Sequence, residues 1–215
     1  MENKRKKNLK VIMLGNLNSG KTAIFNEFAG RRFGTYTCPS TFDMFYKEMK
    51  IGNEIATLNF WDTAGQEKFK SLNRHYYRFS ICCILCFDIH NEESFNSLDK
   101  WINELHEKGL ENGLNPEKTI PLIVLLGTKS DITKSDKSIS KERVENWCKG
   151  IEDRYKGDKI NYFETSSKYS INIKESLNLI SNLALNQYNL REIDEKKLKV
   201  IPLKQSNLDS YSSTC

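Results

Sequence analysis

The sequence predicts an α/β protein: a doubly wound, mostly parallel six-stranded sheet with helices on both faces. Three observations lead there. Short apolar runs alternate with segments of helical periodicity along most of the chain. A glycine-rich run, Gly15-Asn16-Leu17-Asn18-Ser19-Gly20-Lys21-Thr22, joins the first apolar run to the first helical one. The other polar clusters that look chemical also follow the ends of apolar runs, where open α/β sheets bind ligands.

Strand-like runs cover Leu9 to Leu14, Phe42 to Ile51, Ala56 to Trp61, Ile81 to Asp88, Leu122 to Gly127 and Ile160 to Phe163. Gly52-Asn53 reads as a hairpin turn between the second and third. Helix-like runs cover Lys21 to Phe28, Lys68 to Tyr77, Glu92 to Leu105, Lys141 to Tyr155 and Ile173 to Tyr188. In the third, Phe95, Leu98, Ile102 and Leu105 recur at helical spacing and read as core contacts, as do Leu177, Ile180 and Ala184 in the last. Glu107 to Thr119 is polar, with two glycines and Pro116, and reads as an exposed loop. The organisation expected is a basic arm over 1–8, one domain over 9–188 and a flexible tail over 189–215.

The G-x-x-x-x-G-K-[ST] spacing between a strand and a helix is what a phosphate-binding loop requires. Backbone N–H groups of Gly15, Asn18, Ser19 and Gly20 can cradle a polyphosphate, aided by the positive end of the following helix. Lys21 can reach the terminal phosphates, and the Thr22 hydroxyl can bind Mg²⁺. Asp62, at the end of the third strand run, can hold the metal's water shell. Gly65 can bring its N–H close to a γ-phosphate, and Gln66 is placed to orient an attacking water. An isolated D-x-x-G is an ordinary turn; following a phosphate loop it gains meaning.

Thr128-Lys129-Ser130-Asp131 ends the fifth strand run. The Asp131 carboxylate can accept from guanine's N1–H and N2–H₂, where adenine offers a lone pair and no exocyclic amine. The stem of Lys129 can lie along the base. Glu164-Thr165-Ser166-Ser167-Lys168 ends the sixth run and can place a backbone N–H on guanine O6.

This order of motifs resembles the Ras superfamily of small GTPases over about residues 8 to 188, and within it the Rab proteins. The carrying residues are Trp61 through Leu72, Tyr76-Tyr77-Arg78, Phe87-Asp88-Ile89 with Glu93-Ser94-Phe95, and Glu164-Thr165-Ser166. The resemblance implies the phosphate-loop GTPase fold, slow GTP hydrolysis, and a switch in vesicle transport served by an exchange factor, an activating protein and effectors. It implies that Phe33 packs against the guanine edge, and that Phe45, Trp61 and Tyr76 form an aromatic patch read by effectors.

Four positions depart from the family pattern. Leu17 stands where Ras and Rho proteins usually have glycine and many Rabs serine; it either obstructs an activator's arginine or displaces Gln66, or it swings outward onto switch residues without effect. In the first switch, the hydroxyl expected on Mg²⁺ falls on Ser40 by counting from Thr22, with Thr41 next; Pro39, which Rab spacing would select, has no hydroxyl or N–H. Pro39 through Asp43 looks Rho-like, as does Thr128, where most Rabs have an asparagine that tethers the phosphate loop. A single terminal Cys215 replaces the usual paired cysteines or C-a-a-X box; it is either a free thiol or the site of one prenyl chain. The alternatives are a Rho-like GTPase and a GTP-bound scaffold with negligible hydrolysis. A small-molecule kinase would leave Gln66 and the Thr128–Asp131 segment without a use.

At 215 residues the chain can bury a sizeable core, and no apolar run approaches the ~20 residues of a membrane span. No apolar segment follows the basic start to make a secretory signal. Cys82, Cys83 and Cys86 lie in one apolar run and read as core residues of a cytosolic protein. The net charge of +5 is concentrated in the first ten residues, where Lys4, Arg5, Lys6, Lys7 and Lys10 face only Glu2. That arm reads as solvated, with weak attraction to anionic lipid on the cytosolic face of a membrane if Cys215 is prenylated. No basic stripe continues into the domain, so nucleic acid is not expected, and a monomer is.

Overall fold

The computed structural model describes residues 7–31, 33–34, 43–62, 74–110, 121–132 and 139–200. Their elements run β1 (Lys7–Leu14), α1 (Lys21–Phe28), β2 (Asp43–Ile51), β3 (Glu54–Asp62), α2 (Arg74–Tyr77), β4 (Cys82–Asp88), α3 (Glu92–Asn96), α4 (Leu98–Leu110), β5 (Leu122–Thr128), α5 (Lys141–Tyr155), β6 (Asn161–Glu164) and α6 (Ile173–Val200). One six-stranded sheet has the order β2-β3-β1-β4-β5-β6. Only the β2–β3 pair is antiparallel, closed by Gly52 in the left-handed region. The remaining pairs are parallel, as the alternating pattern predicts.

Side-chain alternation divides the core in two. Ile12 and Leu14 of β1, with Cys83, Leu85 and Phe87 of β4, pack against α3, α4 and α5. Leu9, Val11 and Met13, with Cys82, Ile84 and Cys86, pack against α1 and α6 on the other face. The cysteines are therefore core residues; burial pushes the Cys82 and Cys86 thiols up to about 12. Among the described residues no helix is long and apolar enough to cross a membrane.

Three boundaries move. The arm expected over 1–8 gives up its end to β1, because Lys7 and Asn8 pair with Ala56 and Thr57 of β3. Lys7 Nζ also donates to Glu54 (2.5 Å) and to Asn189 Oδ1 (2.6 Å). The tail expected from 189 begins as helix, since α6 runs to Val200. Apolar periodicity fades there, yet Leu, Arg, Glu and Lys are good helix formers. The turn is held by Tyr188 Oη on Glu192 and Arg191 on the Ser80 carbonyl. The single helix expected over 92–105 breaks at Ser97 into α3 and α4. Of the helix expected over 68–77, Arg74 to Tyr77 is described as α2.

After α2 the chain turns through Phe79, a residue 65 % exposed whose φ is 62°. A left-handed backbone costs a branched L-residue about 1–2 kcal/mol. The Arg78 guanidinium over the ring, 4.6 Å from its centroid, returns only part of that. Phe79→Gly is expected to stabilise the domain by roughly 0.5–1 kcal/mol, read as a higher urea midpoint at unchanged slope.

Candidate functional site

The loop from Gly15 to Thr22 rises from β1 and enters α1. Gly15 (φ 144°), Asn18 (φ 62°) and Gly20 (φ 85°) all take positive φ. A Cβ at Gly15 would stand 2.2 Å from the Cys86 carbonyl oxygen, and one at Gly20 would stand 2.7 Å from Thr128 Oγ1. Both glycines are thus fixed by close approach as well as by backbone conformation. Gly20 gives α1 no side-chain cap, whereas Asn91 caps α3 and Ser140 caps α5. A helix start of this kind, with glycine in place of a capping side chain, is the setting in which backbone N–H groups bind anions.

Lys21 is buried, and its Nζ donates to the carbonyls of Gly15 and Asn16, both at 2.7 Å. The ammonium is thereby folded back under the loop. Thr22 Oγ1 donates to Asp62 Oδ2 at 2.8 Å, and Asp62 is fully buried at the end of β3. The Ser19 hydroxyl is buried without a hydrogen bond among the described residues. A buried polar atom of that kind costs roughly 1–3 kcal/mol unless a ligand or water completes it.

A second cluster lies at the ends of β5 and β6. Thr128 Oγ1 donates to the Ser19 carbonyl at 2.8 Å, so threonine does tether the glycine-rich loop, with one bond. Lys129 adopts φ 64°, and its Nζ pairs with Asp88 Oδ2 at 2.7 Å. Ser166 Oγ donates to Asp131 Oδ1 at 2.7 Å. Backbone bonds from Ser130 N–H to the Thr165 carbonyl (3.1 Å) and from Thr165 N–H to the Gly127 carbonyl (2.7 Å) lock the two loops together. Beside them a cavity of about 380 Å³ is lined by Phe33, Ser167, Lys168, Glu27 and Arg31, with Phe33 48 % exposed. The structure therefore joins Lys21, Thr22, Asp62 and Thr128 around one loop. It also sets Asp131 and Ser166 beside the wall that Phe33, Ser167 and Lys168 share.

The model of the Ras family matches residues 10–186. The chain belongs to the Ras family. Relatives specify the Rab type: the chain is 62 % identical to the Ras-related protein RabN1 of Dictyostelium discoideum over all of both chains. It is 58 % identical to RabN2 of the same organism over 82 % of this chain and 97 % of the relative. It is 38 % identical to the Ypt/Rab-type GTPase ypt7 of Schizosaccharomyces pombe over all of this chain and 99 % of the relative. The protein is a small GTPase of the Rab type that binds guanine nucleotide and hydrolyses GTP. The Rho-like residues of its first switch do not alter that assignment.

The aromatic patch expected from Phe45, Trp61 and Tyr76 is not a single surface in this GTPase. Phe45 pairs with Phe60 across the β2–β3 ladder, stacks on its ring at 4.8 Å and meets Phe25 edge-on. Trp61, one residue on, faces the opposite side and packs against the other core cluster. Tyr76 is buried at 4 % exposure; its Oη accepts from the Met13 N–H and donates to the Trp61 carbonyl. The residue opposite Trp61 is Met44, 45 % exposed, and Tyr46 on the same face is 62 % exposed. Met44 and Tyr46 are thus the exposed residues on this face, with Trp61 half-buried beside them.

Leu17 is 48 % exposed and lines a cavity of about 430 Å³ with Asn18, Asn91, Glu93, Lys100 and Trp101. Asp88 went unassigned in the sequence, although it holds Lys129; its position at the end of a strand run was the available signal. Ser40, Thr41, Gly65, Gln66 and Cys215 lie outside the described residues.

Proposed function

We propose that this GTPase is a nucleotide-driven switch in vesicle transport, with the two clusters above as its phosphate and guanine subsites. The observation that carries the proposal is the Thr22–Asp62 contact at 2.8 Å under a glycine-bound loop. A hydroxyl and a carboxylate are hard oxygen donors, the kind that Mg²⁺ takes alongside waters and phosphate oxygens. Thr22 and Asp62 would hold the ion on this side, with Ser40 completing the GTP-bound set. Bound there, Mg²⁺ would neutralise charge on the β- and γ-phosphates.

The chain's own residues supply position and charge for in-line attack of water on the γ-phosphate. Lys21 and the loop N–H groups stabilise the phosphate oxygens, Gly65 adds an N–H, and Gln66 orients the water. Asp131 reads the guanine edge, with Phe33, Thr128, Lys129, Ser166, Ser167 and Lys168 around it. Intrinsic turnover is slow, and an external arginine is worth about 10³–10⁵ in rate. Single-turnover hydrolysis on purified protein tests the reading: GTP is cleaved, ATP at equal concentration neither competes nor is cleaved, and chelation of Mg²⁺ stops the reaction. Equal use of ATP would overturn it.

Met44, Tyr46 and Trp61 are the face offered to effectors. Cys215 is the candidate for a single prenyl anchor, which with the basic arm would give reversible binding to the cytosolic face of a membrane. The mass of the C-terminal peptide from native membranes checks it; an unmodified peptide there refutes the anchor.

A further inference from the structure

We propose that Ser97 and Trp101 are positioning residues for nucleotide retention: they clamp the Asn16 side chain and so fix the phosphate loop from the helical side. The inference rests on the phosphate-loop reading above. Asn16 Nδ2 donates to Ser97 Oγ at 2.9 Å, and Asn16 Oδ1 accepts from Trp101 Nε1 at 2.9 Å. Ser97 and Trp101 are four residues apart, one helical turn, and present a hydroxyl and an indole on one face.

The chemistry leaves the amide one orientation. An indole N–H only donates, so Oδ1 must face Trp101. The Ser97 hydroxyl proton already goes to the Glu93 carbonyl at 2.7 Å, so Ser97 offers Asn16 a lone pair. The backbone carbonyl oxygen of Asn16 accepts from Lys21 Nζ and from the Ser19 N–H. Asn16 thus links α4 by its side chain to the lysine of the loop by its backbone. Next to the clamp the loop is backed by the 430 Å³ cavity rather than by packed side chains, and Leu17 and Asn18 are exposed. Two hydrogen bonds, with the Thr128 tether on the far side, hold a segment that core packing does not.

The experiment is release of a fluorescent GDP analogue from Mg²⁺-loaded full-length protein. Ser97→Ala and Trp101→Phe, which keeps a ring but loses the N–H, are each expected to speed release about two- to tenfold, the net worth of a neutral hydrogen bond. Ser97→Thr, which keeps the hydroxyl, should release at the natural rate. Asn16→Ala should speed release by at least as much, and adding Trp101→Phe to it should change nothing further, because both remove one interaction. If Trp101→Phe lowers the melting temperature but leaves release unchanged, or if the Asn16 and Trp101 effects multiply, the indole is only a core residue and the clamp is refuted. Should the natural protein fail to retain GDP, the phosphate-loop reading itself falls.

Discussion

Asp131→Asn is expected to weaken GTP and GDP binding by about 10³-fold, the worth of two charge-assisted hydrogen bonds, and to transfer preference to xanthine nucleotides. Guanine offers two donors on its N1–C2 edge. A carboxylate can accept both, and an amide cannot. Xanthine keeps the N1–H and replaces the amine with a carbonyl, which matches an amide with oxygen toward N1 and nitrogen toward C2. The structure says which way that amide will turn. Ser166 Oγ accepts from the Tyr169 N–H at 3.2 Å, so its own proton goes to position 131. An asparagine that keeps the bond from the Ser166 proton offers it the amide oxygen and leaves its NH₂ toward the base. Competition binding of GDP and XDP checks the switch. Ser166→Ala added to Asp131→Asn should blunt it, because the amide then loses its fixed orientation. Unchanged GDP affinity in Asp131→Asn would remove Asp131 from base recognition.

The sequence disclosed this site through residue types that have few other uses at their spacing. Two glycines, a lysine and a threonine after a strand leave little room for another reading, and the structure gathers all four where β1 passes into α1. Strand bounds were legible because apolar alternation reports the two core faces directly, as Ile12 and Leu14 against Val11 and Met13 do. Three things were hidden for physical reasons. The face of β2 depends on register, and a one-residue slip exchanges Phe45 for Met44; only pairing with Trp61 fixes it. The extension of α6 to Val200 follows good helix formers in a stretch where apolar periodicity fades in the sequence, so the pattern does not mark it. The proposed Asn16 clamp joins residues 85 positions apart through one indole N–H, a pairing that no local pattern marks. Thr128 was half legible: its loss of an amide was visible, but its surviving bond to the Ser19 carbonyl was not.

Leu17→Gly is expected to leave intrinsic GTP hydrolysis within about twofold of the natural rate and to raise the rate with a cognate activating protein by up to ~10³, the lower range of what an inserted arginine contributes. The exposure of Leu17 is what separates the two effects. A side chain buried over Lys21 would disturb the water and Gln66 in the isolated protein. At 48 % exposed, and on the wall it shares with Glu93 and Trp101, Leu17 is placed to meet a group arriving from solvent instead. An activator's arginine arrives that way, and a branched side chain on the loop narrows its approach. Gln66→Leu should lower both intrinsic and stimulated rates, since orienting the water is needed in either case. Combined with Leu17→Gly it should remain slow, because an open path for arginine is of little use without a positioned nucleophile; the two changes act on one constellation and are not additive. Single-turnover assays with and without activator resolve the three variants from the natural protein. A rise in the intrinsic rate alone would place Leu17 over the reacting phosphate, and no change in either rate would show that the loop carries leucine without consequence for turnover.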